Sequence, residues 1–132
     1  MRSTRIVTSF IKNNNKILIL KRSTNVKSMK GLSSGVSGII ENNEKPLDRA
    51  KIEIFEEIGI EKVSLTKKIE KMIISSPHYK NHRWEVFAFL FETEKIEVKL
   101  NWENSEFKWI RTEELKNYET VPSLDKILIN LL

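Results

Sequence analysis

The chain has 132 residues, 23 Lys and Arg against 18 Asp and Glu, a formal net charge of +5 and no cysteine. That length suits a single domain over residues 1–132 with a real core, and the missing cysteines exclude disulfides, Cys-bound zinc and a thiol nucleophile. No apolar run reaches the roughly 18 residues of a membrane span and no hydrophobic leader opens the chain, so the expected setting is cytoplasmic, away from membranes. The positive surplus favours an anionic ligand, which a phosphorylated small molecule would satisfy. The longest basic clusters, Lys21-Arg22 and Lys67-Lys68, are short and sit in no nucleic-acid motif, so no nucleic-acid partner is expected.

In chain order, Ile6 to Ile11 predicts a strand, Asn13-Asn14-Asn15 a turn, and Lys16 to Lys21, built on Ile17, Leu18, Ile19 and Leu20, a buried strand. Residues 22–37 are loop-like, rich in Ser, Lys and Gly, and Val36 to Glu41 forms a short strand around Gly38. A helix follows. Pro46 fits its first turn, Glu44 and Asp48 suit its positive end, and Leu47, Ala50, Ile54 and Ile58 form its core stripe before Gly59 caps it. Further strands are predicted at Val63 to Leu65, Ile69 to Ser75, Trp84 to Glu92, Ile96 to Leu100 and Phe107 to Ile110. Thr112 to Lys116 reads as a short helix and Ser123 to Leu132 as a C-terminal amphipathic one. Strands mixed with two or three helices give an α/β or α+β class.

Glu53, Glu56 and Glu57 stand at i, i+3 and i+4, which places three carboxylates on one helical face. Like charges so close repel unless a cation sits among them, and all-oxygen ligation suits Mg²⁺, Mn²⁺ or Ca²⁺ rather than zinc. A Glu-rich helical face usually just meets solvent. Gly38, Glu44 and Gly59, which amphipathicity does not require, tip the balance. Together the segment resembles the Nudix box, G-x5-E-x7-R-E-U-x-E-E-x-G-U, with Gly38, Glu44, Glu53, Ile54, Glu56, Glu57, Gly59 and Ile60 in register. Ile17 to Arg22 and Glu103 to Leu115 are similar to structural segments of the same family.

The resemblance implies a mixed β-sheet sandwiched between α-helices, and metal-dependent hydrolysis of a phosphoanhydride in a nucleoside diphosphate linked to another group. It also implies a site in which Glu53, Glu56 and Glu57 hold Mg²⁺ or Mn²⁺ with Gly38 close by through its backbone. A carboxylate-bound cation neutralises phosphate charge and activates water, and a carboxylate not used in ligation can act as base. Glu53 is the chosen base. Family members differ here, some taking a glutamate from a distant loop, for which Glu103 and Glu106 are candidates. The phosphorylated substrate is expected to be a nucleotide, with Arg22, Lys80 and Arg83 as candidate substrate-binding residues; a homodimer is compatible with the reading.

The chain departs from the family pattern at three places. Ile52 replaces the box arginine, which in the family pairs with a box glutamate and holds loop and helix together; Val36-Ser37 precede Gly38 where Pro-Gly is usual; Ser33 stands where tryptophan is common. An apolar residue at 52 leads one to expect that the helix packs its loop there by burial. Arg49, four residues before Glu53, could with Glu44 support the helix face in the arginine's stead, or could form only a surface pair. The loop from Ser75 to Trp84 gathers both histidines, cations and aromatic rings suited to phosphates and a stacked base, although polar hairpin loops are common. The rival to an enzyme is a Nudix-fold nucleotide-binding or regulatory module weakened along with its arginine. Isopentenyl diphosphate isomerase shares the fold but uses a cysteine, and this chain has none.

Overall fold

The computed structural model describes residues 2–75 and 81–132. Two-residue alternation in three strands sets its layers, because successive side chains leave a strand on opposite faces. In β1 (Arg2–Asn13), Val7 and Ile11 face one side and Phe10 the other; in β2 (Lys16–Arg22), Leu18 and Leu20 oppose Ile17 and Ile19. In β6 (His82–Glu92), Phe89 and Phe91 oppose Val86, Ala88 and Leu90. The first set packs under α1 (Pro46–Ile58), through Ala50, Ile54 and Ile58, and the second under α2 (Leu124–Leu131), through Leu124, Ile127, Leu128 and Leu131. The result is an α+β architecture, a mixed sheet between helices, as the sequence leads one to expect.

The remaining strands are β3 (Ser33–Ser34), β4 (Val36–Ile39), β5 (Ser64–Ser75) and β7 (Asn104–Ile110). The sheet runs β3-β2-β1-β6-β5, with β4 also pairing β1 and β7 also pairing β2. Among the described strands only β1 and β6 pair in parallel, with Ile6 opposite Val86; the other strand pairs are antiparallel. Since β1 pairs with β2 near its end and with β4 earlier (Val7 opposite Gly38), β4 delivers Gly38 to the buried face of α1, against Glu53. Helix α1 begins on Pro46 and ends where Gly59 takes φ 73°, its N–H donating to Phe55 O at 2.9 Å.

Three expectations need correction. The two strands expected at 63–65 and 69–75 are one strand, β5, whose register shifts between Leu65 and Lys67 and between Ile69 and Met72 break the periodicity. Ile96 to Leu100 forms no strand; Val98 and Leu100 pack on the α1-side core and Lys99 N–H donates to Ile58 O at 3.0 Å, tying an irregular segment to the helix end. The short β3 was not anticipated, having two serines and no apolar signal. The segment Thr112–Asn117 is a 3₁₀ helix. Among the described residues no helix is long and apolar enough to cross a membrane.

Candidate active site

The buried face of α1 is not purely apolar: Glu53 is 8% exposed and Glu57 only 3%, beside Ala50, Ile54 and Ile58. Helical spacing of four puts the two carboxylates one above the other, while Glu56 lies round the helix and is exposed. Strand β4 crosses directly against this face. A Cβ at position 38 would overlap the Glu53 carboxyl group itself, so only glycine lets the strand lie so close.

Arg49, one turn before Glu53, ties the helix to the preceding loop. It donates to both oxygens of Glu44, Nε to Oε1 at 2.9 Å and Nη2 to Oε2 at 2.6 Å, and its Nη1 reaches Glu53 Oε2 at 3.1 Å. Glu44 Oε1 also accepts the Glu41 N–H at 2.7 Å. The guanidinium holds the Glu44 carboxyl below the usual carboxylate range, and the Arg49 charge is itself stabilised, first by Glu44 and also by Glu53. Ile52, expected to pack this loop by burial, is instead 40% exposed. The loop is held by charge-assisted hydrogen bonds at position 49.

Glu57 is in a different state. Its Oε1 accepts from the Asn104 amide at 3.0 Å, and its Oε2 is buried with no partner among the described residues. Burial, then repulsion from Glu103, pushes its carboxyl up to about 9. Burial also raises the Glu53 carboxyl, against the Arg49 hydrogen bond; Glu56 and Glu103 add to the rise. Glu103 is set in place by its loop: its N–H donates to Asn101 Oδ1 at 3.0 Å, its carbonyl accepts from Ser23 N–H at 2.8 Å, and Ser23 Oγ donates to Trp102 O at 2.8 Å. Glu106, the other loop glutamate considered, pairs instead with Lys21 at 3.3 Å on the surface.

Two neighbouring hollows lie beside this region; one borders Glu53 and Glu103, the other adjoins it through shared walls, and Glu57 lines neither. A cleft of about 370 Å³ is lined by Gly38, Arg49, Glu53, Glu103, Arg22 and Trp84, among others. A smaller chamber of about 140 Å³ lies on the α2 face of the sheet, walled by Ile6, Ile74, Trp84, Val86, Leu124 and Ile127. Arg22, Ser28, Ser37, Ile6 and Trp84 belong to both. Arg22 donates through Nε and Nη2 to Ser28 O, at 3.2 Å each, and its charge favours the ionised form of Glu57. Of the basic-loop residues, His78, Tyr79 and Lys80 lie outside the described residues. Arg83 is exposed on β6 and lines neither hollow, whereas Trp84 lines both.

The structure therefore brings Gly38, Glu53, Glu57, Arg49, Glu44 and Arg22 together and leaves Arg83 apart. Asn104 was missed as a partner of Glu57: a single amide 47 residues along the chain carries no periodic or motif signal. Among the described residues no three acidic or histidine side chains already form a cage. Of the three helix glutamates expected on one face, only Glu53 and Glu57 lie on the buried face; the helix phase leaves Glu56 exposed.

The family model for the NUDIX domain matches residues 2–131. An RNA pyrophosphohydrolase of Bartonella henselae is 31% identical over 105 residues, covering 66% of this chain and 57% of that protein. Thus the chain spans little more than half the length of this curated relative. Among solved structures, a MutT protein from Methanosarcina mazei Go1 superposes with a TM-score of 0.77 at 22% identity, covering 98% of this chain and 92% of the other. An Ap4A hydrolase of C. elegans gives a TM-score of 0.78 at 17% identity, covering 96% and 93%. At such identities these two likenesses concern the fold.

Proposed function

This chain belongs to the Nudix family, and on that premise we propose that it is a divalent-metal-dependent pyrophosphohydrolase acting on a nucleoside diphosphate linked to a further group. The observation that carries the reading is Glu57, a buried carboxylate with one oxygen unpartnered among the described residues, next to Glu53 and within the field of Glu103. A folded chain rarely buries repelling carboxylates without something to neutralise them. A proton does so at one oxygen. A hard cation does so for the whole cluster, and the donor set, all carboxylate oxygen, fits Mg²⁺ or Mn²⁺.

Glu53 and Glu57 would hold the cation, with Glu56 reached from solvent and Gly38 presenting backbone; magnesium keeps several waters, so few protein ligands suffice. Bound there, the cation neutralises phosphate charge and lowers the pKa of water. Arg49 fixes Glu53, Asn104 orients Glu57, and Arg22 stands where the two hollows meet, suited to a phosphate held in the cleft. Glu103 is better placed as base than Glu53, because the guanidinium of Arg49 already occupies one Glu53 oxygen. The apolar chamber beside Trp84 seats the non-phosphate group.

The test is a screen with Mg²⁺ and with Mn²⁺, detecting released phosphate and pyrophosphate. It covers nucleoside triphosphates, nucleotide sugars, dinucleoside polyphosphates and a 5′-triphosphorylated RNA oligonucleotide, the last prompted by the name of the Bartonella henselae relative. Metal-dependent release from at least one class is expected. No release from any, with nucleotide still bound, would leave the binding-module reading.

A further inference from the structure

We infer that Arg49 is a positioning residue for the Glu53 carboxylate, supplying from one helical turn earlier the arginine that the box lacks at Ile52. The inference rests on the metal reading of the site and adds to it how one ligand is held. Arg49 grips Glu44 through two of its nitrogens and Glu53 through the third, so one planar group joins the loop before α1 to the carboxylate that faces Gly38. That fork geometry separates it from an ordinary i, i+4 surface pair, in which two mobile side chains meet in solvent.

The contact also chooses an oxygen. Glu53 Oε2 takes the guanidinium, while the same carboxyl group lies against Gly38. Oε1 is left for a cation. Without Arg49, the carboxylate would keep its repulsion from Glu56 and Glu103 and lose the group that fixes its rotamer. Positions 49 and 52 are three apart, so they lie on adjoining parts of the helix surface. The exposed setting of Ile52 leaves room for a long side chain there. An arginine at either position is therefore within reach of the same loop.

The experiment compares the parent with Arg49→Ala, Arg49→Lys, Ile52→Arg and the double variant Arg49→Ala/Ile52→Arg. It reads Mn²⁺ affinity by water-proton relaxation, thermal melts without metal, and kcat and KM where a substrate is in hand. Arg49→Ala should weaken Mn²⁺ binding by about tenfold or more, as loss of a residue orienting a ligand does, and lower kcat more than it raises KM. Arg49→Lys should recover only part of the affinity, because an ammonium cannot fork. Ile52→Arg alone should bind Mn²⁺ as the parent does, and in the Arg49→Ala background should restore most of the affinity and the melting temperature. Parent-like Mn²⁺ affinity in Arg49→Ala, or no rescue by Ile52→Arg, overturns the inference. If Arg49→Ala does not fold, Arg49→Lys decides the matter, and parent-like affinity there overturns it too. Failure of the metal reading looks different: the parent itself then binds no Mn²⁺, which removes both.

Discussion

On the α1 side of the sheet, Ala50, Ile54 and Ile58 share the buried helix face with Glu53 and Glu57; on the α2 side, Leu124, Ile127, Leu128 and Leu131 cover the sheet with aliphatic groups alone. Both helices exclude water, but to different ends. Under α2, exclusion of water stabilises the fold directly through buried apolar area. Under α1, the same exclusion raises two carboxyl groups out of their ordinary range and opposes folding. The hydrophobic neighbours of Glu53 and Glu57 thus create a low-dielectric setting in which a charge partner is held strongly.

If that division of labour is right, neutralising Glu57 should separate the two properties most sharply. Glu57→Gln keeps the shape and an acceptor for Asn104 but removes a ligand charge. Turnover is expected to fall by about a hundredfold or more, while the metal-free protein melts higher, because the substituted chain no longer gives up ionisation on folding. Hydrolysis rates alongside melts check both, and parent-like turnover would sink the site reading. On the opposite face the sign reverses. Leu128 is buried among aliphatic neighbours and borders neither hollow, so Leu128→Ala should lose about 2–5 kcal/mol in denaturant unfolding and leave Mn²⁺ affinity unchanged. A marked loss of affinity would mean that the two faces are coupled.

The contrast also shows what a sequence can and cannot disclose. Strand alternation and the spacing of α1 are local, so β1, β2, β6 and the pairing of Glu53 with Glu57 on one helix face were legible, whereas Glu56, expected with them, lies round the helix. The partners that decide the state of each carboxylate are not local. Asn104 meets Glu57 from 47 residues away, and although Glu103 beside it stood out as a candidate base, nothing in the sequence pairs that amide with Glu57. The chamber exists only because β1, β5, β6 and α2 converge. Arg49 was visible as an i, i+4 neighbour of Glu53, but its fork onto Glu44 depends on how the loop folds back. The expectation of burial at Ile52 failed because hydrophobic character was read as packing, when single exposed aliphatics are ordinary.

A milder probe of the comparison is pH. Glu57 has a folded-state pKa of about 9 against an ordinary value of 4.5. Below the ordinary value both states hold the proton and the group is neutral to stability. Between the two values the unfolded chain has lost the proton that the folded one keeps, so metal-free stability should fall as pH rises, by at most about 1.4 kcal/mol per unit. Glu53, raised in the same direction, adds to the slope. Glu44, held low by Arg49, acts oppositely and removes stability as the pH drops through the carboxylate range. Metal-free melts should thus be highest near the acid end of this interval. Because a cation competes with the proton, the rise in melting temperature on adding Mg²⁺ should grow with pH up to about 9. A gain independent of pH would place the cation elsewhere.

The smallest effect is expected at Ile52, and its smallness is informative because Ile54 lies two residues away on the same helix. Ile54 is fully buried in the α1-side core, and truncating it to alanine should lose about 2–5 kcal/mol. Ile52 has 40% of its surface exposed, so it has less apolar area to give up. Alanine is also the better helix former, by a few tenths of a kcal/mol. These contributions oppose each other, and Ile52→Ala should change stability by less than about 1 kcal/mol. Denaturant unfolding of the two variants side by side measures the difference. A loss at position 52 as large as that at 54 would mean that the loop is held by burial after all, and the ion pairs of Arg49 would then cease to explain how α1 and its loop stay together.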